Sequence, residues 1–339
     1  MKIAIIGAGA IGSVVAGYLT KAGVDCVLVG REDQVKAIQK NGLKISGARG
    51  SETIKVKVLP KLDKEHDLVI FTVKTQDLDE AYAQNNEYLE NCLVLSSQNG
   101  VQADTILSSH YDKEKMLSSI VMFGATYTKP GEVTYNFPGD WILGKPFSTV
   151  DLKVHEVAEI LKKAFPVVVS MNIMGMKWLK LFVNFNNCLP ALIGKSMQET
   201  FTDIEFCRIS VHLLREGVRV IKEAGVEMVS LPNFPVERIS GLVQMPVDQA
   251  AGILNKTLTS LSKEPLYGSI LQSIMRGKPS EIDFINGEVT LIGRNIGSPT
   301  PLNDKVVDMV HQVEMTGKFF SMEEVKEILN REKSSVNSE

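Results

Sequence analysis

The chain opens on an uninterrupted apolar run, Ile3-Ala4-Ile5-Ile6, and switches at once to glycine-punctuated sequence, Gly7-Ala8-Gly9-Ala10-Ile11-Gly12. A short apolar run bounded by glycine reads as a strand buried on both faces. Ser13 to Leu19 then reads as helix, Lys21-Ala22-Gly23 as its stop, and residues 24–29 as a second strand. Further strands are expected at 53–59, 68–73, 93–96 and 116–122, separated by helical or polar stretches, the pattern of an open and mainly parallel sheet. Residues 131–145, with Gly131, Pro138, Gly139 and Gly144 among β-prone residues, predict a hairpin on the sheet edge. A helix over 151–165 and a strand over 167–170 close this part.

From Asn172 the apolar positions take up helical spacing, over 177–192, 202–223, 246–262, 281–295, 305–316 and 322–329. At 339 residues the chain is long for one core and comfortable for two. The expected fold class is α/β: a doubly wound sheet domain over 1–170, an all-α domain over 171–331, and a polar tail over 332–339 expected to be disordered.

The first strand, the G-x-G-x-x-G turn, the helix and the second strand arrive in the order of a dinucleotide-binding Rossmann-type unit. Gly7 would make the tight turn, Gly9 would admit the pyrophosphate, and Gly12 would let the helix pack on the strand, with Ala8, Ala10 and Ile11 completing the turn at the helix N-terminus. Where an NAD site usually carries an acid, this chain has Val29-Gly30-Arg31. A guanidinium can pair with an adenosine 2′-phosphate, and Gly30 would leave room for it, so NADPH/NADP is the expected cofactor. The alternative is a solvated Arg31 with Glu32 or Asp33 on the ribose. Lys74 and Asn99 follow later strands, at the carboxyl edge where ligands collect.

Composition narrows the partners. A net charge of −3 gives no footprint for nucleic acid or an anionic membrane, and no apolar run reaches the ~18 residues of a span. Cys26, Cys92, Cys188 and Cys207 lie far apart with no histidine at ligand spacing, so neither a metal site nor a disulfide framework is expected. A strand starting directly after Met1 leaves no room for a signal peptide, and a cytoplasmic location is expected.

In the helical half, Lys180 and Asn184 stand four apart on one face of an otherwise apolar helix, and Lys177 lies nearly on that face. A partly desolvated lysine can donate a proton to a carbonyl oxygen receiving hydride, and spacing alone leaves Lys177 and Lys180 as equal candidates. Ser280 reads as an N-cap and Glu281 as the first helical residue, where the helix dipole favours an acid without any function.

Taken together these segments resemble the ketopantoate reductase family, from Met1 to about Val313. Arg31, Thr72-Val73-Lys74 and Gln98-Asn99-Gly100 fall where that family has its 2′-phosphate arginine, cofactor lysine and asparagine. The segment from Trp178 to Asn184 resembles the one carrying the proton-donor lysine and a substrate asparagine, which selects Lys180. The segment from Glu281 to Gly287 is similar to the family's acidic segment, and Ser269 matches a serine that binds the substrate carboxylate.

The resemblance implies reduction of ketopantoate by NADPH, with Lys180 as acid, Glu281 positioning substrate and cofactor, and Asn184 and Ser269 on the substrate. A small-molecule 2-keto acid is the implied partner, and a homodimer is the candidate assembly. One departure is evident: the family usually has a second asparagine eight residues after the lysine, and this chain has Cys188. On an ideal helix Asn187 lies within about 20° of Lys180 and is expected to supply the amide. The rival readings are a same-fold reductase of another 2-keto acid, a 3-hydroxyacid dehydrogenase, and an NADPH-binding sensor without turnover.

Overall fold

In the computed structural model, which describes residues 1–336, the strands are β1 (Ile3–Ile6), β2 (Cys26–Val29), β3 (Leu43–Gly47), β4 (Glu52–Ile54), β5 (Lys57–Leu59), β6 (Leu68–Phe71), β7 (Leu93–Ser96), β8 (Met116–Val121), β9 (Gly124–Lys129), β10 (Glu132–Phe137), β11 (Trp141–Gly144) and β12 (Val167–Val169). Eight of them form one sheet in the order β12-β11-β8-β7-β6-β1-β2-β5, parallel except where β11 meets β8. β1 sits in the interior, pairing with β2 on one side and β6 on the other. Alternate residues feed two cores: Ile3, Ile5, Leu68 and Ile70 join one, and Ala4, Ile6, Val69 and Phe71 the other. A sheet covered on both faces explains why these strands are apolar without alternation.

The helices of this half are α1 (Ala10–Lys21), α2 (Glu32–Asn41), α3 (Leu78–Asn85), α4 (Gln102–Ser108) and α5 (Leu152–Leu161). A second, four-stranded sheet, β4-β3-β10-β9, packs on the other side of α1 and shares its core through Leu43, Ile45, Ile54, Val133 and Tyr135. Gly17 marks the closeness of that packing, since a Cβ there would stand 2.4 Å from the Ile45 Cδ1.

Two expectations need correction here. The run read as one strand over 53–59 is divided between β4 and β5, which belong to different sheets. The hairpin at Gly131 joins β9 to β10 in the small sheet, and β11 alone returns to the large one. Apolar alternation marks strands but not which sheet takes them.

Contacts divide the chain into a unit over Met1–Met174 and a unit from Gly175 onward. The remaining helices are α6 (Ile173–Asn184), α7 (Cys188–Ile193), α8 (Met197–Phe201), α9 (Ile204–Glu223), α10 (Glu237–Gln244), α11 (Val247–Thr259), α12 (Ser269–Met275), α13 (Asn286–Ile296), α14 (Pro301–Thr316) and α15 (Met322–Val336). α9 is the long central member, buried along one stripe from Phe206 to Ile221. The helix expected over 177–192 is interrupted by a 3-10 turn at Phe185–Asn187. Pro190 accounts for it, because its ring would clash with the Asn186 carbonyl in a continuous α-helix but is tolerated in the first turn of α7. α15 carries helical backbone to Val336, well into the segment expected as a disordered tail, whose last residues, 337–339, lie outside the described ones. No described helix is long and apolar enough to cross a membrane.

Candidate active site

The glycine turn joins the end of β1 to α1, and protein atoms explain two of its three glycines. Gly7 has φ of 118°, and a Cβ there would come within 2.6 Å of the Val73 N. A Cβ on Gly12 would stand 2.0 Å from the Gly7 carbonyl oxygen, so α1 packs against the turn only because that atom is absent. Gly9, the N-cap of α1, differs: a Cβ there would meet nothing within 4 Å. Its side-chain direction opens onto the space at the helix N-terminus, where free N–H groups suit a pyrophosphate. The turn fits a dinucleotide on that ground.

Neighbouring strand ends are tied to this turn by side chains. The Thr72 hydroxyl donates to the Gly7 carbonyl at 2.8 Å, and Gln98 Nε2 donates to the Phe71 and Val73 carbonyls at 2.9 and 3.0 Å. These bonds bring the loops carrying Lys74 and Asn99, both half-buried, to the same edge of the sheet as Gly7–Gly12. Buried Gln34 does the same for α2: its Nε2 donates to the Ala8 carbonyl at 2.9 Å, and its Oε1 accepts from the Gly131 N–H at 2.7 Å. Sequence reading passed over Gln34, whose polar side chain on the buried stripe of α2 was the available signal.

Arg31 is exposed at the N-cap of α2. Burial and Asp33 push the nearby Tyr127 phenol up in pKa while the Arg31 charge pulls it down. Gly30 requires a correction, because a Cβ there would strike the Ala8 Cβ at 2.3 Å. Packing on the glycine turn therefore accounts for Gly30 without invoking room for a phosphate. A groove of about 790 Å³ in this unit is lined by Lys2, Asp25, Lys57 and His66, toward the amino ends of β1 and β2, and contains none of the expected site residues.

In the second unit, α6 is apolar on most of its surface and carries Lys177 and Lys180 within it. Lys177 is 2% exposed and Lys180 half-buried. Burial lowers the Lys180 ammonium, Glu281 raises it and Lys177 lowers it again, and the balance holds its pKa at about 8. Chain folding thus brings Lys180 and Glu281 together from segments about a hundred residues apart.

Glu281 is buried but is not a first-turn helical residue as expected. It precedes a 3-10 turn, Ile282–Phe284, and α13 starts only at Asn286, after Ile285 takes φ of −120° and ψ of −87°. The Ser280 hydroxyl accepts from the Ile282 N–H at 3.2 Å, so it caps this turn and not a helix. A helix dipole therefore does not explain the acid at 281.

Asn184 ends α6, one turn beyond Lys180. Asn187, half-buried, lies against the residue before Ser269: a Cβ on Gly268 would stand 2.8 Å from the Asn187 Cγ. Ser269 opens α12 and is half-buried. Cys188 is fully buried, its thiol donating to the Phe185 carbonyl at 3.2 Å, reached by Asn286 and pushed up by burial to about 12. It is held neutral and packed, unlike the half-buried amide beside it. Among the described residues no group of histidine, cysteine or carboxylate side chains is arranged to hold a metal.

Residues 3–146 match the family model described as ketopantoate reductase PanE/ApbA, and residues 172–314 match the model of its C-terminal part. The 2-dehydropantoate 2-reductase of Pyrococcus horikoshii is 30% identical over 320 residues, 94% of this chain and 99% of its own length. The crystal structure of a PanE/ApbA family ketopantoate reductase from Ralstonia eutropha JMP134 aligns with a TM-score of 0.78 at 28% identity, covering 93% of this chain and 98% of that one. A D-mandelate dehydrogenase solved with NADH and anilino(oxo)acetate shares the fold, with a TM-score of 0.81 at 22% identity over 93% and 99% of the two chains. Both halves of the molecule, the glycine-turn unit and the helical unit with its Lys180–Glu281 pair, are thus accounted for by one lineage, and the chain belongs to the ketopantoate reductase family.

Proposed function

We propose that the protein is an NADPH-dependent 2-dehydropantoate 2-reductase, which reduces the C2 carbonyl of 2-dehydropantoate to give pantoate on the route to pantothenate and coenzyme A. The observation that carries the reading is the placement of Lys180, half-buried on the apolar helix α6, beside the buried Glu281, so that burial and Lys177 lower its ammonium and Glu281 raises it, with a pKa at about 8. A general acid is most effective when its pKa lies near the working pH, and an exposed lysine would be far too weak an acid.

When bound, the nicotinamide cofactor supplies the hydride. The Gly7–Gly12 turn and the N-terminus of α1 would hold its pyrophosphate, Arg31 would pair with the 2′-phosphate, and Lys74 and Asn99 would complete the cofactor site. Lys180 Nζ donates a proton to the oxygen on C2 as charge builds there, and Glu281 keeps that ammonium protonated at neutral pH and positions substrate and cofactor. Asn184, Asn187 and Ser269 hold the substrate hydroxyl and carboxylate. Cys188 takes no part, since a buried neutral thiol cannot replace an amide as a donor and acceptor.

The position of Cys188 also favours a second reading, in which the acceptor is a different 2-keto acid, because the resemblance places an amide there. Oxidation of NADPH and of NADH, each measured with 2-dehydropantoate and a panel of other 2-keto acids, separates the two. Preference for NADPH with 2-dehydropantoate supports the proposal. Turnover with another keto acid alone transfers the mechanism to that substrate, and no turnover with any leaves a binding protein.

A further inference from the structure

Glu281 belongs to no long helix, so something else must fix its carboxylate. The segment from Ser280 to Asn286 is gripped at both ends from other helices. At its start the Ser280 N–H donates to the Glu314 carboxylate on α14 at 2.7 Å. At its end the fully buried Asn286 donates through Nδ2 to Asn303 Oδ1 at 3.0 Å, also on α14. The Asn286 Oδ1 is buried without a hydrogen-bond partner, so the amide is oriented through its nitrogen, toward Asn303 and the Cys188 sulfur.

Asn303 is itself fully buried and held by Glu216 of α9. Its backbone N–H and its Nδ2 each donate to Glu216 Oε1 at 2.8 Å, and the Leu302 N–H donates to Oε2 at 3.2 Å. The second Nδ2 hydrogen reaches the Leu213 carbonyl at 3.3 Å. One carboxylate therefore anchors the start of α14, and through it the segment that presents Glu281.

We propose that Glu216 and Asn303 are positioning residues for the proton donor: the series from half-buried Glu216 through the fully buried Asn303 and Asn286 sets where the Glu281 carboxylate stands relative to Lys180, with neither Glu216 nor Asn303 touching substrate. The inference rests on the reading of Lys180 as the acid. The charged groups acting on Lys180 are Glu281, from the segment before α13, and Lys177, from α6 itself. When Asn303 is lost, the far end of the segment loses its hold while the Glu314 grip on Ser280 stays, so Glu281 shifts relative to Lys180 while burial and Lys177 remain. The Lys180 pKa then falls.

The test follows the Lys180 Cε resonance by NMR across pH in the full-length protein labelled with 13C-lysine, assigned by its loss in Lys180→Arg. The wild type is expected to titrate near pH 8, and Asn303→Ala lower by about one pH unit, the smaller end of what an opposite charge produces. Asn303→Ser, which keeps a hydroxyl toward Glu216 but cannot span to Asn286, is the milder variant should Asn303→Ala not fold, and its midpoint moves the same way. Leu254→Ala, a buried truncation on α11, controls for lost stability and leaves the midpoint in place. An unmoved midpoint in a folded Asn303 variant, or an equal shift in Leu254→Ala, overturns the proposal. A shifted midpoint in a protein that oxidises no NADPH with 2-dehydropantoate keeps the positioning role and removes the proposed substrate.

Discussion

The glycine turn of the first unit and the Lys180–Glu281 pair of the second are built by opposite means. The turn is local: Gly7, Gly9 and Gly12 lie within six consecutive residues, and its shape follows from backbone conformation and from atoms that are missing. The pair is assembled from α6 and a segment about a hundred residues later, and hydrogen bonds to Glu216, Asn303 and Glu314 hold the acidic side in place. A site made of backbone tolerates changes in side chains around it but not an added Cβ. A site made of converging side chains fails gradually, through changes in pKa and position.

Lys180→Ala tests the second region with the largest expected effect, a loss of about 10²–10⁴-fold in kcat with little change in NADPH affinity, read by steady-state kinetics and cofactor titration. In the first region, Gly12→Ala and Gly9→Ala should part company. Gly12→Ala forces a Cβ to 2.0 Å from the Gly7 oxygen and is expected to lower the melting temperature by several degrees and abolish cofactor binding. Gly9→Ala meets no protein atom and is expected to weaken NADPH binding at a nearly unchanged melting temperature. Equal loss of stability in both would show that Gly9 serves the fold and not a ligand.

Arg31→Ala is expected to raise the KM for NADPH by about 10–100-fold, the worth of one charge-assisted contact, and to leave the KM for NADH unchanged. Parallel changes for both cofactors would return Arg31 to the role of a solvated loop cation. A smaller effect, about tenfold on the KM for 2-dehydropantoate, is expected for Asn187→Ala, the loss of one hydrogen bond. An unchanged KM there, alongside a strong rise in Asn184→Ala, would show that residue 187 does not stand in for the missing asparagine.

The same local-versus-distant contrast explains what could be read from the chain beforehand. β1, the turn, α1 and β2 were legible because every determinant lies within the first thirty residues. Helical spacing likewise placed Lys180 and Asn184 on one face. Spacing could not choose between Lys177 and Lys180, which differ in burial and in their surroundings rather than in position on α6. It also misread Glu281 as a first-turn residue: helical spacing does not reveal the 3-10 turn or the backbone at Ile285, in a segment whose ends bond to Glu314 and Asn303, residues distant in the chain. Gln34, Asn286 and Asn303 escaped notice for the same reason: a buried amide looks like a surface residue until its partners are known.

The proposed function turns on Lys180, poised by Glu281, giving a proton to a keto oxygen as NADPH is consumed. Its most direct test is the pH dependence of NADPH oxidation with 2-dehydropantoate in the wild type, Glu281→Gln and Lys180→Ala. Activity requires the ammonium, so the wild-type rate should fall as pH rises through about 8. Removing the Glu281 charge lowers the Lys180 pKa and should move that fall to lower pH, and Lys180→Ala should be slow with no such fall at all. A Lys180→Ala enzyme with near-native kcat, or one that keeps the wild-type fall near pH 8, would remove Lys180 from the role of proton donor.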